Sequence, residues 1–462
     1  TGSNQVVLGT SDNVVNIPGS IQLFHSPSTD ISQESRSYSD DFAYTEIGAF
    51  SPYDTRNSTI SEDGKIVAVS LPNNNNDNNK VCVYKRNVSN DSNINTITWS
   101  QYGNTVYSPT HSGTVNSFGV SINLSNNGNI MAVSDMVSGA VDVFKLNAVT
   151  ILWDQIGNTM VQPSLQDMTG TDDTTTNPKN APASYDTGFG KNISLSDDGT
   201  VIVVGTPYGW RDNYYIPSNY ETNYDRTIGG HAYVFKLNTA TNTWDQIDDI
   251  YSSYDSNDAR FIGKGSWWDT LSCKDNFGSA VSISKDGNTI LVGAHVSRTI
   301  DGGFTDQGLA AIYNYNIGTG VYDLKFAYKH NDGAYGDTYV KQDNLGYSVA
   351  ISGDGKTAAI GIPNNDGTVN NRDLNPGSVS ILKLNEGTNA WYIDSEDGYG
   401  QTETVFLGAS SDDLNGRRVS ISNDGKVVAC SAYRNHIRIY KHTNKGDLFN
   451  TLDDTSGHKE IS

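Results

Sequence analysis

A short motif occurs six times in the chain and constrains its fold more than any other feature. Each copy reads Ser-x-Asp/Asn-Gly-Lys/Asn/Thr and precedes a short apolar run that ends on a small residue. The motif glycines are Gly64, Gly128, Gly199, Gly287, Gly355 and Gly425, which are 64, 71, 88, 68 and 70 residues apart. A local pattern that recurs at such intervals predicts a repeat architecture.

The third copy shows which secondary structure each repeat forms. Residues 189–196 alternate between apolar and polar with the two-residue period of a strand, and Asp198-Gly199 then predicts a tight hairpin turn. An apolar, β-branched run at 201–204 predicts a buried second strand, and 230–238 and 243–247 predict a third and a fourth. Four antiparallel strands per repeat, arranged around an axis, predict an all-β fold, the β-propeller.

The number of blades is less directly encoded. Six repeats are complete within residues 54–462, and residues 1–53 contain partial matches to a further one. Residues 19–24 fit the third-strand pattern and residues 42–48 the fourth. We therefore predict a single propeller domain over residues 1–462 with seven blades, the first of them degenerate.

The alternative is a propeller of six full blades. In that interpretation residues 1–18 trail from an upstream fibre-like module, and only a half-blade precedes the six repeats. The stretch from Val6 to Gly19 resembles the short β repeats of viral and phage fibre shafts. Because the chain begins with Thr1 rather than Met, we expect that an N-terminal piece precedes this sequence.

The charge balance excludes several classes of partner. The chain has 31 basic and 52 acidic residues, a net charge of −21. Nucleic acids and anionic lipids are bound by lysine and arginine patches, so neither is an expected partner. No stretch approaches the roughly 20 apolar residues that span a bilayer, which argues against direct membrane insertion.

The three cysteines, Cys82, Cys273 and Cys430, are too few to build a disulfide framework. Cys82 and Cys430 lie inside apolar strand patterns, whereas Cys273 lies in a predicted loop. We therefore expect three free thiols, two of them in the core.

Two spaced signatures resemble FG-GAP repeats, the propeller units of integrin α-subunits. The Phe-Gly signature occurs at Phe118-Gly119, Phe189-Gly190 and Phe277-Gly278, and as Leu345-Gly346 in weakened form. The second signature occurs at Gly205-Thr-Pro207, Gly293-Ala-His295 and Gly361-Ile-Pro363. The resemblance covers about residues 50–450 and implies a propeller outside the cell or on a particle surface that serves binding and adhesion. A weaker resemblance exists to the Ser-Pro-Asp-Gly-Lys repeats of periplasmic propellers.

Long loops are predicted at one end of the propeller and minimal Asp-Gly turns at the other, so binding is expected at the long-loop end. Two of these loops are rich in aromatic residues, which stack on sugars and anchor protein partners. The candidate ligand-binding residues are Tyr208, Trp210, Arg211, Tyr214, Tyr215, Tyr220, Tyr224 and Arg226 in one loop, and Trp267 and Trp268 in the next. The alternative is that these side chains fold back and pad the rim of the propeller.

A metal site and a catalytic site have less support in the sequence. The integrin calcium loop Asp-x-Asp-x-Asp-Gly is absent, but acidic loop residues could bind calcium through hard oxygen ligands. These candidates are Asp301, Asp306, Asn365, Asp366 and Asp373. No cofactor is required by any motif. His-Glu-x-x-His and Gly-x-Ser-x-Gly are absent, and His231, His436 and His442 fall on third strands, where packing is the expected role.

Together these patterns predict a non-enzymatic recognition or adhesion propeller that binds a glycan or a surface protein through its long-loop end. Its expected location is extracellular or on a cell or virion surface, where other subunits of a fibre or particle are further expected partners. Two alternatives stay open. One is a structural building block of an appendage or viral shell, and the other is a hydrolase with its site at the long-loop end.

Overall fold

The structure is a computed structural model of the 462-residue chain. It describes residues 20–21, 57–71, 79–91, 94–109, 117–163, 188–207, 230–251, 276–296, 308–328, 343–364, 377–393, 415–431, 437–442, 449–451 and 460–461.

The described residues form six antiparallel sheets, each built on four strands that pair in chain order. Blade 1 contains β2 (Ser58–Ile60), β3 (Ile66–Leu71), β4 (Lys80–Asp91) and β5 (Ile94–Gln101), with β6 (Val106–Tyr107) beside β4. Blade 2 contains β7 (Phe118–Leu124), β8 (Ile130–Asp135), β9 (Ala140–Asn147) and β10 (Leu152–Gln155), with β11 (Met160–Val161) beside β9. Blade 3 contains β12 (Asn192–Leu195), β13 (Val201–Thr206), β14 (His231–Asn238) and β15 (Thr243–Tyr251).

The remaining three blades follow the same plan. Blade 4 contains β16 (Ala280–Ile283), β17 (Thr289–Ala294), β18 (Leu309–Asn316) and β19 (Val321–Tyr328). Blade 5 contains β20 (Ser348–Ile351), β21 (Thr357–Ile362), β22 (Ser378–Asn385) and β23 (Ala390–Ile393). Blade 6 contains β24 (Arg418–Ile421), β25 (Val427–Ser431), β26 (Ile437–His442) and β27 (Phe449–Thr451), with β28 (Glu460–Ile461) beside β26.

The fold is therefore a β-propeller, as predicted, but the preferred count of seven blades is wrong and the alternative of six is confirmed. Within residues 1–53 the structure describes one strand, β1 (Ser20–Ile21). It pairs with β2 at the inner edge of blade 1, where Ser20 lies opposite Thr59. The two described residues of the third-strand pattern, Ser20 and Ile21, thus extend an existing sheet. Short β patterns fit any open sheet edge, so the pattern alone does not identify the partner strand.

The recurring motif forms the turn between the first two strands of each blade because its side chains bond to its own backbone. In the first copy the Ser61 hydroxyl donates to Asp63 Oδ1 (2.8 Å) and accepts from the amide of Ile66 (3.0 Å). Asp63 Oδ1 also accepts from the amide of Lys65 (3.0 Å). Gly64 has φ of +64°, which favours glycine over residues with a side chain.

The first strand of each blade lies innermost and leaves one edge unpaired toward the axis. Side chains of the preceding blade satisfy part of this edge: Ser194 Oγ accepts from the amide of Ile283, and Ser282 Oγ from the amide of Ile351, both at 3.1 Å. These bonds link the inner strands of blades 3, 4 and 5 in turn, which leaves fewer backbone donors unpaired.

The Ser-x-Asp-Gly turns gather at one end of the axis, here called the turn end, and close the ring there. Lys285 Nζ of blade 4 lies 2.7 Å from Glu62 Oε2 of blade 1, and Asn423 of blade 6 donates to the other oxygen of Glu62. These contacts join residues 223 and 361 positions apart in the chain. The bond between Asn423 and Glu62 joins the last blade to the first.

The core lies between the blades, where apolar side chains of neighbouring sheets interleave. The predicted Phe-Gly signature, with Leu345 in its weakened copy, forms part of the four boundaries from blades 1 and 2 to blades 4 and 5, and Phe189 and Phe277 are fully buried. The glycine is required for close approach: a Cβ on Gly278 would lie 2.1 Å from the carbonyl oxygen of His231 in the preceding blade. The signature therefore fixes the contact between successive blades.

Candidate functional site

Opposite the turn end, at the end here called the loop end, the residue that follows each signature glycine lies at the start of the inner strand or immediately before it. In blades 2–6 these residues are Val120, Lys191, Ser279, Tyr347 and Arg417. The turn that precedes each inner strand is closed by a backbone bond, for example from the amide of Ser279 to the carbonyl of Asn276 (2.9 Å). The same position in successive blades thus carries apolar, cationic, hydroxyl, aromatic and cationic side chains.

Ser279 and His295 of blade 4 form the arrangement with the clearest chemical meaning in this region. Ser279 Oγ lies 2.9 Å from His295 Nδ1 and 3.4 Å from the carbonyl oxygen of Gly293. The shorter contact is the better hydrogen bond, in which the hydroxyl donates to an unprotonated Nδ1. Ser279 is 6% exposed, whereas His295 lies in a turn just after β17 and is half-buried. A serine hydroxyl that bonds to a neutral imidazole is an arrangement in which the imidazole can activate the oxygen as a nucleophile.

The environment keeps the imidazole of His295 neutral. Burial lowers the pKa of His295 to about 4, and the positive charge of Lys191 on blade 3 contributes to the shift. At neutral pH the ring therefore carries no proton on Nδ1 when Ser279 donates to it. A base of such low pKa accepts a proton less readily than an ordinary histidine.

Blade 5 holds His295 from the other side. Asn344 Nδ2 donates to the carbonyl oxygen of His295 (3.1 Å), and Asn364 donates in turn to Asn344 Oδ1. The ring of Tyr347 packs edge-on against the imidazole with 5.1 Å between centroids. The guanidinium of Arg417 in blade 6 lies 6.0 Å from the centroid of the Tyr347 ring. Groups of blades 3, 4 and 5 therefore surround His295, and Arg417 of blade 6 contacts the tyrosine that packs against it.

The sequence contained a signal for this site that our sequence analysis missed. His295 occupies the last position of the second signature, where blades 3 and 5 have Pro207 and Pro363. A residue that differs from its equivalents in the other repeats is not explained by the structure of the repeat. The histidine at this position was therefore a candidate functional residue, as the residues of the aromatic loops were.

A second histidine, His231, is packed in blade 3, as predicted. It is 4% exposed, its Nδ1 lies 2.7 Å from Asp249 Oδ1, and its ring stacks on Tyr233 with 5.4 Å between centroids. Its neighbour across the strands is Thr206. The pair of His231 and Asp249 therefore ties β14 to β15, away from the inner strands. The side chains of His436 and His442 are not described.

All of the predicted ligand-binding and metal-binding residues lie outside the described residues. This applies to both aromatic loops, which include Trp267 and Trp268, and to the acidic candidates from Asp301 to Asp373. Their roles stay predictions. Among the residues that the structure does describe, no group of three or more His, Cys, Asp or Glu side chains is arranged to hold a metal ion. Cys82 and Cys430 are buried free thiols, as predicted.

No described helix has the length and apolar character that crossing a membrane requires.

No family profile matches the chain, and no curated protein sequence matches it significantly. The resemblance to FG-GAP repeats is therefore still a prediction. Solved structures do match over most of the chain. One is a protein of Bacteroides uniformis provisionally named as a 6-phosphogluconolactonase, with 13% identity, coverage of 89% of this chain and 88% of that one, and a TM-score of 0.45. A provisionally named 6-phosphogluconolactonase of Bacteroides fragilis has 12% identity, coverages of 88% and 86%, and a TM-score of 0.44.

The periplasmic gluconolactonase of Pseudomonas aeruginosa is also similar, with 11% identity, coverages of 99% and 98%, and a TM-score of 0.45. Our prediction of a non-enzymatic recognition or adhesion propeller is contradicted by these neighbours, whose names are those of lactonases. At such low identity the likeness concerns the fold, and lactonase activity is a property of those proteins. A periplasmic location likewise belongs to the Pseudomonas protein, and a location outside the cytoplasm stays a prediction for this chain.

Proposed function

We propose that the protein is a hydrolase of esters or lactones in which Ser279 is the nucleophile and His295 the general base. The observation that carries the proposal is the distance of 2.9 Å between Ser279 Oγ and His295 Nδ1, at the loop end of the inner strands. The partial exposure of His295 and the neutral state of its imidazole at neutral pH support the same assignment.

The reaction would proceed in two steps, acylation of Ser279 and hydrolysis of the acyl-serine ester. Ser279 Oγ attacks the acyl carbon while His295 Nδ1 takes the hydroxyl proton, and the proton then passes to the alkoxide leaving group. For a lactone the leaving group stays attached to the acyl chain. A water molecule next attacks the acyl-serine ester, His295 accepts its proton and returns it to Ser279, and the carboxylic acid is released.

The positive charge of Lys191 links substrate binding to the pKa of His295. Lys191 attracts negatively charged groups, and an anionic substrate that binds beside it would offset its charge. Because that charge lowers the pKa of His295, its neutralisation would raise the pKa and make the imidazole a stronger base. The site is thus suited to substrates that carry a carboxylate or phosphate near the reacting carbonyl.

A panel of aldonolactones, phosphorylated aldonolactones and p-nitrophenyl esters tests the proposal. Lactones lead the panel because three of the matched propellers bear lactonase names. We expect turnover by the wild type and a loss of at least about 10³-fold in kcat for Ser279→Ala, the scale that nucleophile removal has in serine hydrolases. Serine labelling by a fluorophosphonate gives an independent readout.

Two variants control for structural effects. Ser348→Ala removes a serine that is equally buried (6% exposed) but donates to the carbonyl of Gly416, so it should leave turnover intact. His295→Pro installs the residue that blades 3 and 5 carry, which preserves the fold while removing the base. Turnover that survives in both Ser279→Ala and His295→Pro would contradict the assignment, and so would a wild type that is inert over the whole panel.

A further inference from the structure

Two aspartates of blade 2 lie together on one face of the sheet. Asp135 ends β8 opposite Ala140, and Asp142 lies on β9 opposite Val133, so the two carboxylates are diagonal neighbours across the strands. The same face carries Val133 and Phe144, which pack against blade 1. The carboxylates therefore lie between blades 1 and 2, toward the loop end.

Both positions depart from the pattern of the repeat. The positions equivalent to Asp135 hold Leu71, Thr206, Ala294 and Ile362 in blades 1, 3, 4 and 5. The positions equivalent to Asp142 hold Cys82, Tyr233, Ala311 and Ser380 in the same blades. Blade 2 alone among these five carries a carboxylate at both places. The strands of these other blades form without a carboxylate at either position. Two carboxylates on one face of blade 2 therefore indicate that Asp135 and Asp142 act together.

Each carboxylate has one oxygen that is held by donors and one that is not. Asp135 Oδ1 accepts from the amide (3.0 Å) and hydroxyl (2.9 Å) of Ser117, and Asp142 Oδ1 accepts from Gln155 Nε2 (2.9 Å) and Thr159 Oγ1 (2.5 Å). The exposed fractions of the two aspartates are 0% and 1%. The Oδ2 atom of each is buried and has no hydrogen-bond partner. Two oriented, buried acceptors are thus left over on the same face.

The charge of this pair is not balanced by a described basic side chain. The charged group that acts on Asp142 is Asp135, and burial together with this like charge raises the pKa of Asp142 to about 6. Burying carboxylates without a counter-charge costs several kcal/mol per ion, a cost that a bound cation would offset.

We propose that Asp135 and Asp142 bind a calcium-like cation between blades 1 and 2 through their two unpartnered oxygens. Hard carboxylate oxygens are the ligands that calcium prefers, and two carboxylates balance its charge. Ca²⁺ takes six to eight oxygens in a flexible geometry, so water completes the shell. The site lies at the opposite end of the blade from the Asp-Gly hairpins and involves none of the acidic loop residues that the sequence suggested.

Thermal unfolding of the full chain at pH 7.5 tests the proposal, with CaCl₂ compared against EDTA and against NaCl at matched ionic strength. We expect calcium at a hundredfold excess over its Kd to raise the wild-type Tm by about 3 °C. Asp135→Asn and Asp142→Asn should lose this response. Asp154→Asn, which removes an exposed carboxylate of the same blade, should keep it.

Calorimetric titration of CaCl₂ into the folded variants provides a second measurement that does not depend on unfolding. One binding event that is present in wild type and in Asp154→Asn, and lost in Asp142→Asn, would support the site. A wild-type Tm that calcium leaves unchanged would overturn it. A calcium response that Asp142→Asn retains in full, or one that NaCl reproduces, would overturn it as well.

Discussion

Replacement of Asp142 by asparagine should stabilise the protein at neutral pH when cations are chelated, although it alters a fully buried side chain. Asparagine has the shape of aspartate, and its Oδ1 can still accept from Gln155 and Thr159. Its Nδ2 supplies a donor on the face where Asp135 has an unpartnered oxygen. The substitution thus removes a buried charge while keeping the existing hydrogen bonds.

The size of the effect follows from the pKa of Asp142, about 6 in the fold against the ordinary 3.8. Below pH 3.8 both the folded and the unfolded chain hold the proton. As the pH rises, the unfolded chain releases it first, so stability falls until the pH passes about 6 and is constant above that. At about 1.36 kcal/mol per pH unit, the difference between 6 and 3.8 is worth about 3 kcal/mol.

Urea unfolding in EDTA at a series of pH values from 4 to 8 measures this effect. The wild type should lose about 2 kcal/mol more than Asp142→Asn over this range, because part of the total is already lost at pH 4, and the variant should be the more stable protein at pH 8. Asp154→Asn, at an exposed position, is the matched control and should follow the wild type. If Asp142→Asn is the less stable protein at pH 8, or if its pH profile parallels that of the wild type, the assignment of a buried, uncompensated carboxylate is wrong.

Three further predictions concern the catalytic proposal and the backbone. The pH profile of kcat/KM should have its acid limb near 4, the pKa of His295, and Lys191→Met should move that limb to higher pH because it removes a positive charge. Gly278→Ala should lower the free energy of unfolding by several kcal/mol more than Gly64→Ala. Both glycines have positive φ, but a Cβ on Gly278 would lie 2.1 Å from a backbone oxygen, whereas a Cβ on Gly64 would have no atom within 4 Å. Ile151→Asn should raise the free energy of unfolding, measured in urea, by about 1 kcal/mol. Ile151 is a β-branched residue with φ of +55°, and blades 3 and 5 have asparagine at the same position. Equal or lower stability of the variant would contradict this.

The strands and the hairpins could be predicted because they depend on residues close together in the chain. The Ser61 and Asp63 side chains bond within five residues of themselves, so the motif determines its turn wherever it occurs. The number of blades could not be read in the same way. The pattern at 19–24 is that of a strand, and only the neighbouring inner strand of blade 1 decided where Ser20 pairs.

The candidate site was hidden for a related reason. Ser279 and His295 are only 16 residues apart, but each occurs in a different signature, and nothing local indicates that the two signatures meet. The binding site was predicted in the long loops because loop length and aromatic content can be read directly from the sequence. The contact of 2.9 Å depends on how β16 and β17 pair.

The sequence by itself determined a ring of four-stranded blades, because strand periodicity, glycine turns and the close-packed Phe-Gly positions are properties of short segments that recur. The tertiary structure alone decided which distant side chains share an environment: Glu62 with Lys285 at the turn end, Ser279 with His295 at the loop end, and Asp135 with Asp142 between two blades. Charge, burial and proton affinity depend on these spatial neighbours, which meet across paired strands or across the ring in a register that no single segment contains.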